Sequence, residues 1–130
     1  MRQTRVWAKA LGLCGAFVEG LVLEVESHTL VVSVRVGSRD RDRCGVYHRL
    51  CPGFDLTRGR RRWRALDLGS KLTELESDRL MVNCPEHGVV VTWVTWARHG
   101  SRFTRTFEEQ AAWLTAHSAQ STVASLLQVT

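Results

Sequence analysis

The residues best suited to chemistry in this sequence are its cysteines and histidines. Cys84-Pro85-Glu86-His87-Gly88 has the form C-P-x-H-G. Two metal-ligating side chains stand three positions apart on a tight turn, with glycine where the backbone must fold sharply. Cys44-Gly45-Val46-Tyr47 repeats the shape, with tyrosine in the second ligand position. A closed structural zinc site needs four ligands. Cys44, Cys84 and His87 supply three, and Cys51 or His48 is the candidate fourth. If they share an ion, the Cys44 and Cys84 sulfurs should lie about 4 Å apart, the edge of a tetrahedron with bonds of about 2.3 Å. The alternative is a set of buried thiols with no metal. Cys14, on the opening helix, is expected to be a core thiol. No C-x-x-C is present, so no redox motif is predicted.

The second chemical resource is arginine. Residues 35–64 carry ten arginines against Asp40, Asp42 and Asp55, a net charge of +7 in a chain whose total is +5. Guanidinium forks suit phosphate oxygens. Arg58, Arg60, Arg61, Arg62 and Arg64 flank Trp63 at the entry to a predicted strand. On a strand, Arg60, Arg62 and Arg64 share one face, while Arg61 and Trp63 share the other. The first face is expected to track DNA phosphates while Trp63 anchors the strand in the core. Arg98, Arg102 and Arg105 extend the candidate DNA-binding set into the linker that follows. Contacts of this kind position a protein on DNA without specifying sequence.

The carboxylates do not suggest catalysis. Asp55, Asp67, Asp78 and a few glutamates read as solvent charges or ion-pair partners, and no Ser-His-Asp or H-E-x-x-H pattern occurs. No enzymatic activity is expected of this chain.

The elements that must carry these groups can be read from periodicity. The chain has 130 residues, 44% hydrophobic and 24% charged, a globular composition. No apolar run reaches the ~18 residues of a membrane helix. The opening twenty residues resemble a secretory signal only loosely. Gly12, Gly15 and Glu19 break the apolar stretch, so a cytoplasmic, nucleoid-associated protein is expected. Residues 5–13 predict a short helix. Residues 17–27 and 28–37 alternate as two strands of a hairpin, with a bulge near Gly20. Further strands are predicted over 60–69, 72–83 and 89–96. Near Thr106 the period changes from two to 3.6, predicting a helix capped by Thr106 with Glu109 completing a capping box. His117-Ser118 ends it, and Ser121 is the expected cap of a second helix. The predicted fold is α+β: a β-rich part, residues 1–98, with a zinc-ribbon-like module, then the start of a helix-turn-helix, residues 99–130.

Four stretches, RCGVYHRLCPGFD (43–55), GRRRWRALDLG (59–69), NCPEHGVVV (83–91) and WARHGSRFTRTFEEQAAWL (96–114), resemble the N-terminal zinc-binding region of bacterial insertion-sequence transposases of the ISL3 family. The opening LGLCGAFVEGLVLEVES is similar to the strand pair preceding that region. The resemblance implies that the zinc-binding module and helix-turn-helix recognise the terminal inverted repeats of a mobile element. It also implies a ribonuclease-H-like catalytic domain with an Asp-Asp-Glu metal triad, for which this sequence has no counterpart. The family's ligands carry over to Cys44, Cys84 and His87. Tyr47 stands where the family usually has cysteine. The expectation is therefore a truncated transposase copy that binds DNA weakly, mostly through phosphates. The alternative is an interaction protein that pairs with an intact transposase or with itself, or a non-functional relic.

Overall fold

The computed structural model describes residues 3–54 and 59–128, with the side chains of residues 3–6 outside the description. Asp55 and Arg58 lie outside the described residues. The chain runs as α1 (Gln3–Ala10), β1 (Ala16–Glu24), β2 (Thr29–Val36), β3 (Gly53–Phe54), β4 (Arg60–Leu68), β5 (Lys71–Asp78), β6 (Met81–Cys84), β7 (Gly88–Val91), α2 (Arg105–His117) and α3 (Gln120–Leu127). Among the described residues no helix is long and apolar enough to cross a membrane.

The strands form two sheets, one of four strands in the order β1-β2-β5-β4 and one of three in the order β3-β6-β7. The hairpin β1/β2 is antiparallel, and its register shifts between Val18 and Gly20, which is the expected bulge. β4 and β5 form a second antiparallel hairpin around Gly69-Ser70, with Gly69 at φ 62°. The two hairpins join through β2 and β5, which pair in parallel. Alternation along β2, β4 and β5 aims Val32, Val34, Trp63, Ala65 and Leu75 into one core, closed by Val18, Trp96 and Ala97. Trp63 and Trp96 meet edge to face at 5.3 Å. The opening helix leans Trp7, Ala8 and Leu11 on this cluster.

The predicted strand over 72–83 is two strands. β5 ends at Asp78, Arg79 donates its N–H to the Gly59 carbonyl, and β6 begins at Met81 in the other sheet. The predicted strand over 89–96 is a strand only from Gly88 to Val91, after which Thr92 makes an isolated bridge to Cys44. Trp93 N–H then bonds to the Arg43 carbonyl, and Trp96 turns into the large core.

The linker before the helices is tied to β4. Arg64 N–H donates to the Arg102 carbonyl at 2.8 Å, and Thr104 N–H donates to the Arg64 carbonyl at 3.0 Å. This extended geometry makes Thr104, not Thr106, the N-cap of α2, its Oγ1 accepting from Phe107 N–H at 3.2 Å. Ser121 is likewise not a cap: α3 starts at Gln120 behind Ala119, without a side-chain cap bond. The two helices close over Phe107, Val123 and Leu127, against Leu66 of β4.

Candidate metal centre and nucleic-acid interface

The small sheet has almost no hydrocarbon core. Its buried side chains are Cys44, Cys51, Val82 and Cys84, with Val90 packed against them. β6 runs into the turn 84–88 and delivers Cys84 inward, and Gly88 returns the chain at φ 73°. Cys44 sits on a matching turn. It pairs with Thr92, and its carbonyl accepts His48 N–H at 2.8 Å.

These two turns bring Cys44, Cys84 and His87 together, with one ligand atom from each lying within 4.8 Å of the others. His87 Nδ1 is 3.4 Å from Cys44 Sγ and 3.3 Å from Cys84 Sγ. A tetrahedral ion with sulfur bonds of about 2.3 Å and nitrogen bonds of about 2.0 Å has sulfur–nitrogen edges of about 3.5 Å. Val46 N–H points at Cys44 Sγ at 3.4 Å, as expected where a backbone turn supports a thiolate. For Cys84, burial disfavours the thiolate. The His87 ring, the N–H groups of Glu86 and His87 and the Cys44 thiol outweigh it and hold the group at about 6. Nucleophilic sulfur is thus already favoured at neutral pH, and the donor set fits a soft-ligand metal such as zinc.

The two candidates for a fourth ligand differ in placement. Cys51 is buried in the same cluster and donates its thiol proton to the Arg49 carbonyl at 3.3 Å. Burial, then the neighbouring sulfurs of Cys84 and Cys44, push its thiol up. His48 is exposed and stacks on the Trp93 ring at 4.2 Å, on a backbone with φ 59°. Tyr47 packs edge-on to the His87 ring at 4.7 Å. Cys14 is exposed rather than a core thiol, because the helix ends before it and Gly15 turns the chain away.

The arginines of β4 do share a face, and that face is occupied. Arg62 reaches Glu76 at 2.7 Å and Glu24 at 2.9 Å. Arg60 reaches Glu76 at 2.7 Å and Asp78 at 2.9 Å. Arg64 holds Asp67 at 2.8 Å and donates to the Leu127 carbonyl at 3.1 Å. Arg60 and Arg62 hold Glu76 below the usual carboxylate range, and Arg62 does the same to Glu24. Arg62 in turn is raised, first by its bond to Glu24. Sequence reasoning read the carboxylates as solvent charges or ion-pair partners but did not assign them to these arginines. The signal was present: a hairpin turning at Gly69-Ser70 sets Glu76 opposite Arg62 and Glu74 opposite Arg64.

On the other face, Arg61 lies over the Trp63 ring at 4.8 Å and donates to the Ser101 carbonyl at 2.6 Å. Burial, then Arg79 nearby, lowers its proton affinity. Arg98 faces Glu108 at 3.6 Å, Arg102 covers Phe103, and Arg105 is exposed at the start of α2.

Residues 94–130 match the helix-turn-helix domain of transposase family ISL3. Over 99% of its length the chain is 32% identical to the transposase for insertion sequence element IS1557 of Mycobacterium tuberculosis, in each of two strains. The chain spans 30% of the length of these curated relatives. No solved structure matches it significantly.

Proposed function

We propose that this chain, similar over nearly its whole length to the N-terminal region of an ISL3-type transposase, binds DNA as the end-recognising part of such an enzyme. The observation that carries this reading is the match of residues 94–130 to a transposase helix-turn-helix, on a segment that folds as a helical pair. Binding fits better than catalysis. Glu24, Glu74, Glu76, Asp67 and Asp78 are engaged by arginines, so they do not converge on an open ion site. We read residues 1–98 as a sheet-and-metal unit and residues 99–130 as the helical unit, acting in the cytoplasm on chromosomal DNA.

Zinc is the metal we assign to the small sheet, held by Cys44, Cys84 and His87 in a zinc-ribbon-like module. Cys51 is the fourth ligand we favour, since His48 is engaged with Trp93. Its contribution is folding energy and the fixed placement of two turns. The DNA-facing residues on this reading are Arg61, Arg98, Arg102 and Arg105. Arg60, Arg62 and Arg64 serve the sheet.

The test is fluorescence anisotropy with the full chain on labelled duplexes carrying inverted-repeat ends or random sequence. Four or five phosphate contacts give a slope of log K on log salt of roughly −4. A slope near zero would refute DNA binding through these cations. A second reading, pairing with an intact transposase or a second copy, is favoured by the edge strand β1, which exposes Phe17, Val22 and Leu23. Co-purification with a full-length relative in the absence of DNA tests it.

A further inference from the structure

The first turn of a helix carries N–H groups that the helix itself cannot satisfy. In α2 most of them find partners. Arg105 N–H donates to the Trp96 carbonyl at 2.8 Å, Phe107 N–H to Thr104 Oγ1 at 3.2 Å, and Glu108 N–H to the Thr104 carbonyl at 3.0 Å. Thr106 N–H has none among the described residues. The loop between α1 and β1 presses on this turn, so closely that a Cβ on Gly12 would meet the Thr106 methyl at 3.2 Å. Between loop and helix lies a cleft of about 260 Å³, walled by residues 11–14, by Thr95 and Trp96, and by Thr104–Thr106 with Glu109. One water occupies roughly 30 Å³ of liquid, so a single bound water would not fill it.

The wall carries polar atoms that nothing in the chain satisfies. Trp96 is only 4% exposed, and its Nε1–H is buried without an acceptor. Thr95 Oγ1 is buried without a partner as well. A buried polar group left unpaired is costly, which points to something bound there. The chemistry of the missing partner follows from the donors. Indole N–H, peptide N–H and guanidinium all donate and none accepts. Arg105 is exposed and makes no ion pair among the described residues, whereas Arg60, Arg62, Arg64 and Arg98 each face a carboxylate. The dipole of α2 adds partial positive charge at the same place. Glu109 is the one acidic residue of the lining; it is exposed and forms no ion pair among the described residues. The cleft therefore suits an anion rich in acceptor oxygens.

We propose that this cleft at the start of α2 receives one phosphate group of the DNA backbone, with the Arg105 guanidinium, Thr106 N–H and Trp96 Nε1–H as donors. The proposal rests on the DNA-binding reading above and deepens it. A phosphate held there carries no base information but fixes the helical pair in register on the duplex.

The test follows duplex binding by the full chain against salt, and the Trp96 indole N–H signal by nitrogen-15 NMR, assigned by its loss in W96F. Circular dichroism and thermal melting check folding. R105Q, whose side chain has no hydrogen-bond or ion-pair partner among the described residues, should flatten the slope of log K on log salt by about 0.9. E109Q, which removes the opposing charge, should tighten binding about two- to fivefold. R60Q/R62Q should leave the slope unchanged. Duplex DNA should move the Trp96 signal in the wild type and not in R105Q. A steep wild-type slope that R105Q retains would overturn the proposal, as would weaker binding by E109Q. A duplex that leaves the Trp96 signal in place while R105Q flattens the slope would put the Arg105 contact outside the cleft. If inorganic phosphate moves the signal and the duplex does not, the cleft takes a free anion and the assignment to DNA fails. A wild-type chain without salt-dependent DNA binding would overturn the parent reading together with this one.

Discussion

The two sheets are held by different materials. The four-stranded sheet buries Val18, Val32, Val34, Trp63, Leu75 and Trp96 in a shared hydrocarbon core. The three-stranded sheet buries three thiols and one valine, with a second valine beside them. The first can be stable on apolar burial alone. A fully buried Val, Leu or Phe-sized side chain contributes about 1.5–3 kcal/mol. The second has too little such surface to offset the ordering of its long Cys44–Cys51 loop. A small module in that position depends on a metal or on a neighbour. The same kind of secondary structure therefore hides two stability regimes within one chain.

Metal removal should separate the regimes most sharply. Structural zinc supplies an apparent ~10–16 kcal/mol in small fingers near neutral pH. Chelation, or Cys84→Ser, should erase amide protection over residues 43–54 and 81–92 and leave that of β2, β4 and β5 intact. Hydrogen exchange reads this directly. Protection that persists in the small sheet after chelation would show that it needs no ion.

Core truncation should do the reverse. Leu75→Ala should cost about 2–5 kcal/mol, as large-to-small changes do at fully buried sites. Leu75 is 1% exposed at the centre of the large cluster. Urea unfolding should show the loss, while zinc stoichiometry on the folded fraction stays at one. A lost metal site in this variant would mean the two sheets are one cooperative unit.

Smaller effects sharpen the comparison. Thr104→Ala removes the bond from Phe107 N–H to the α2 cap and should cost about 1 kcal/mol. The ion pairs of the large sheet should show in its pH dependence. Glu76 is held below its ordinary value in the folded state, so its contribution is present above that value and is lost as pH falls through the lowered one. The pairs are part-exposed, so the effect is about 1 kcal/mol or less. Glu76→Gln should flatten stability against pH below about 5. An unchanged acid limb would assign the acid sensitivity elsewhere. Tyr47→Cys should raise zinc affinity in competition with a chromophoric chelator, since it restores a ligand type to the weaker turn.

Where period and turn chemistry agree, the elements were legible from residues alone: the β1/β2 hairpin and its bulge, the 84–88 turn, and the passage to helices after residue 100. Legibility failed where a tertiary bond overrode local pattern. The run over 72–83 hid a change of sheet: the buried positions are Thr73, Leu75 and Ser77 on β5 but Val82 and Cys84 on β6, a shift of phase across the polar run 76–79. Thr106 has the better capping spacing, with Glu109 three residues on. Pairing of Thr104 with Arg64 fixes the extended conformation two residues earlier. Of the candidate metal ligands, Cys44, Cys84 and His87 converge as their spacing suggested. The β4 arginines lie on the expected face, but composition counted their charge as available. Only strand register reveals that Glu24, Glu74 and Glu76 are already there. Net charge is additive along a sequence, whereas free charge depends on which neighbours the fold supplies.

On the proposed DNA-binding reading, the strap that joins the helices to β4 has a consequence for measuring distance along DNA. Backbone bonds fasten Arg102 and Thr104 to Arg64. The Arg64 and Asp67 side chains hold the far end of α3 through Leu127 and Gln128. With both ends of the helical pair moored to one strand, a DNA-bound chain is expected to act as a rigid caliper rather than as two beads on a string. Inserting about five base pairs, half of a 10–10.5 base-pair turn, between two features of a recognised DNA end would rotate one to the opposite side of the duplex. A tethered pair would follow that rotation. Rigid jaws would have to release one feature.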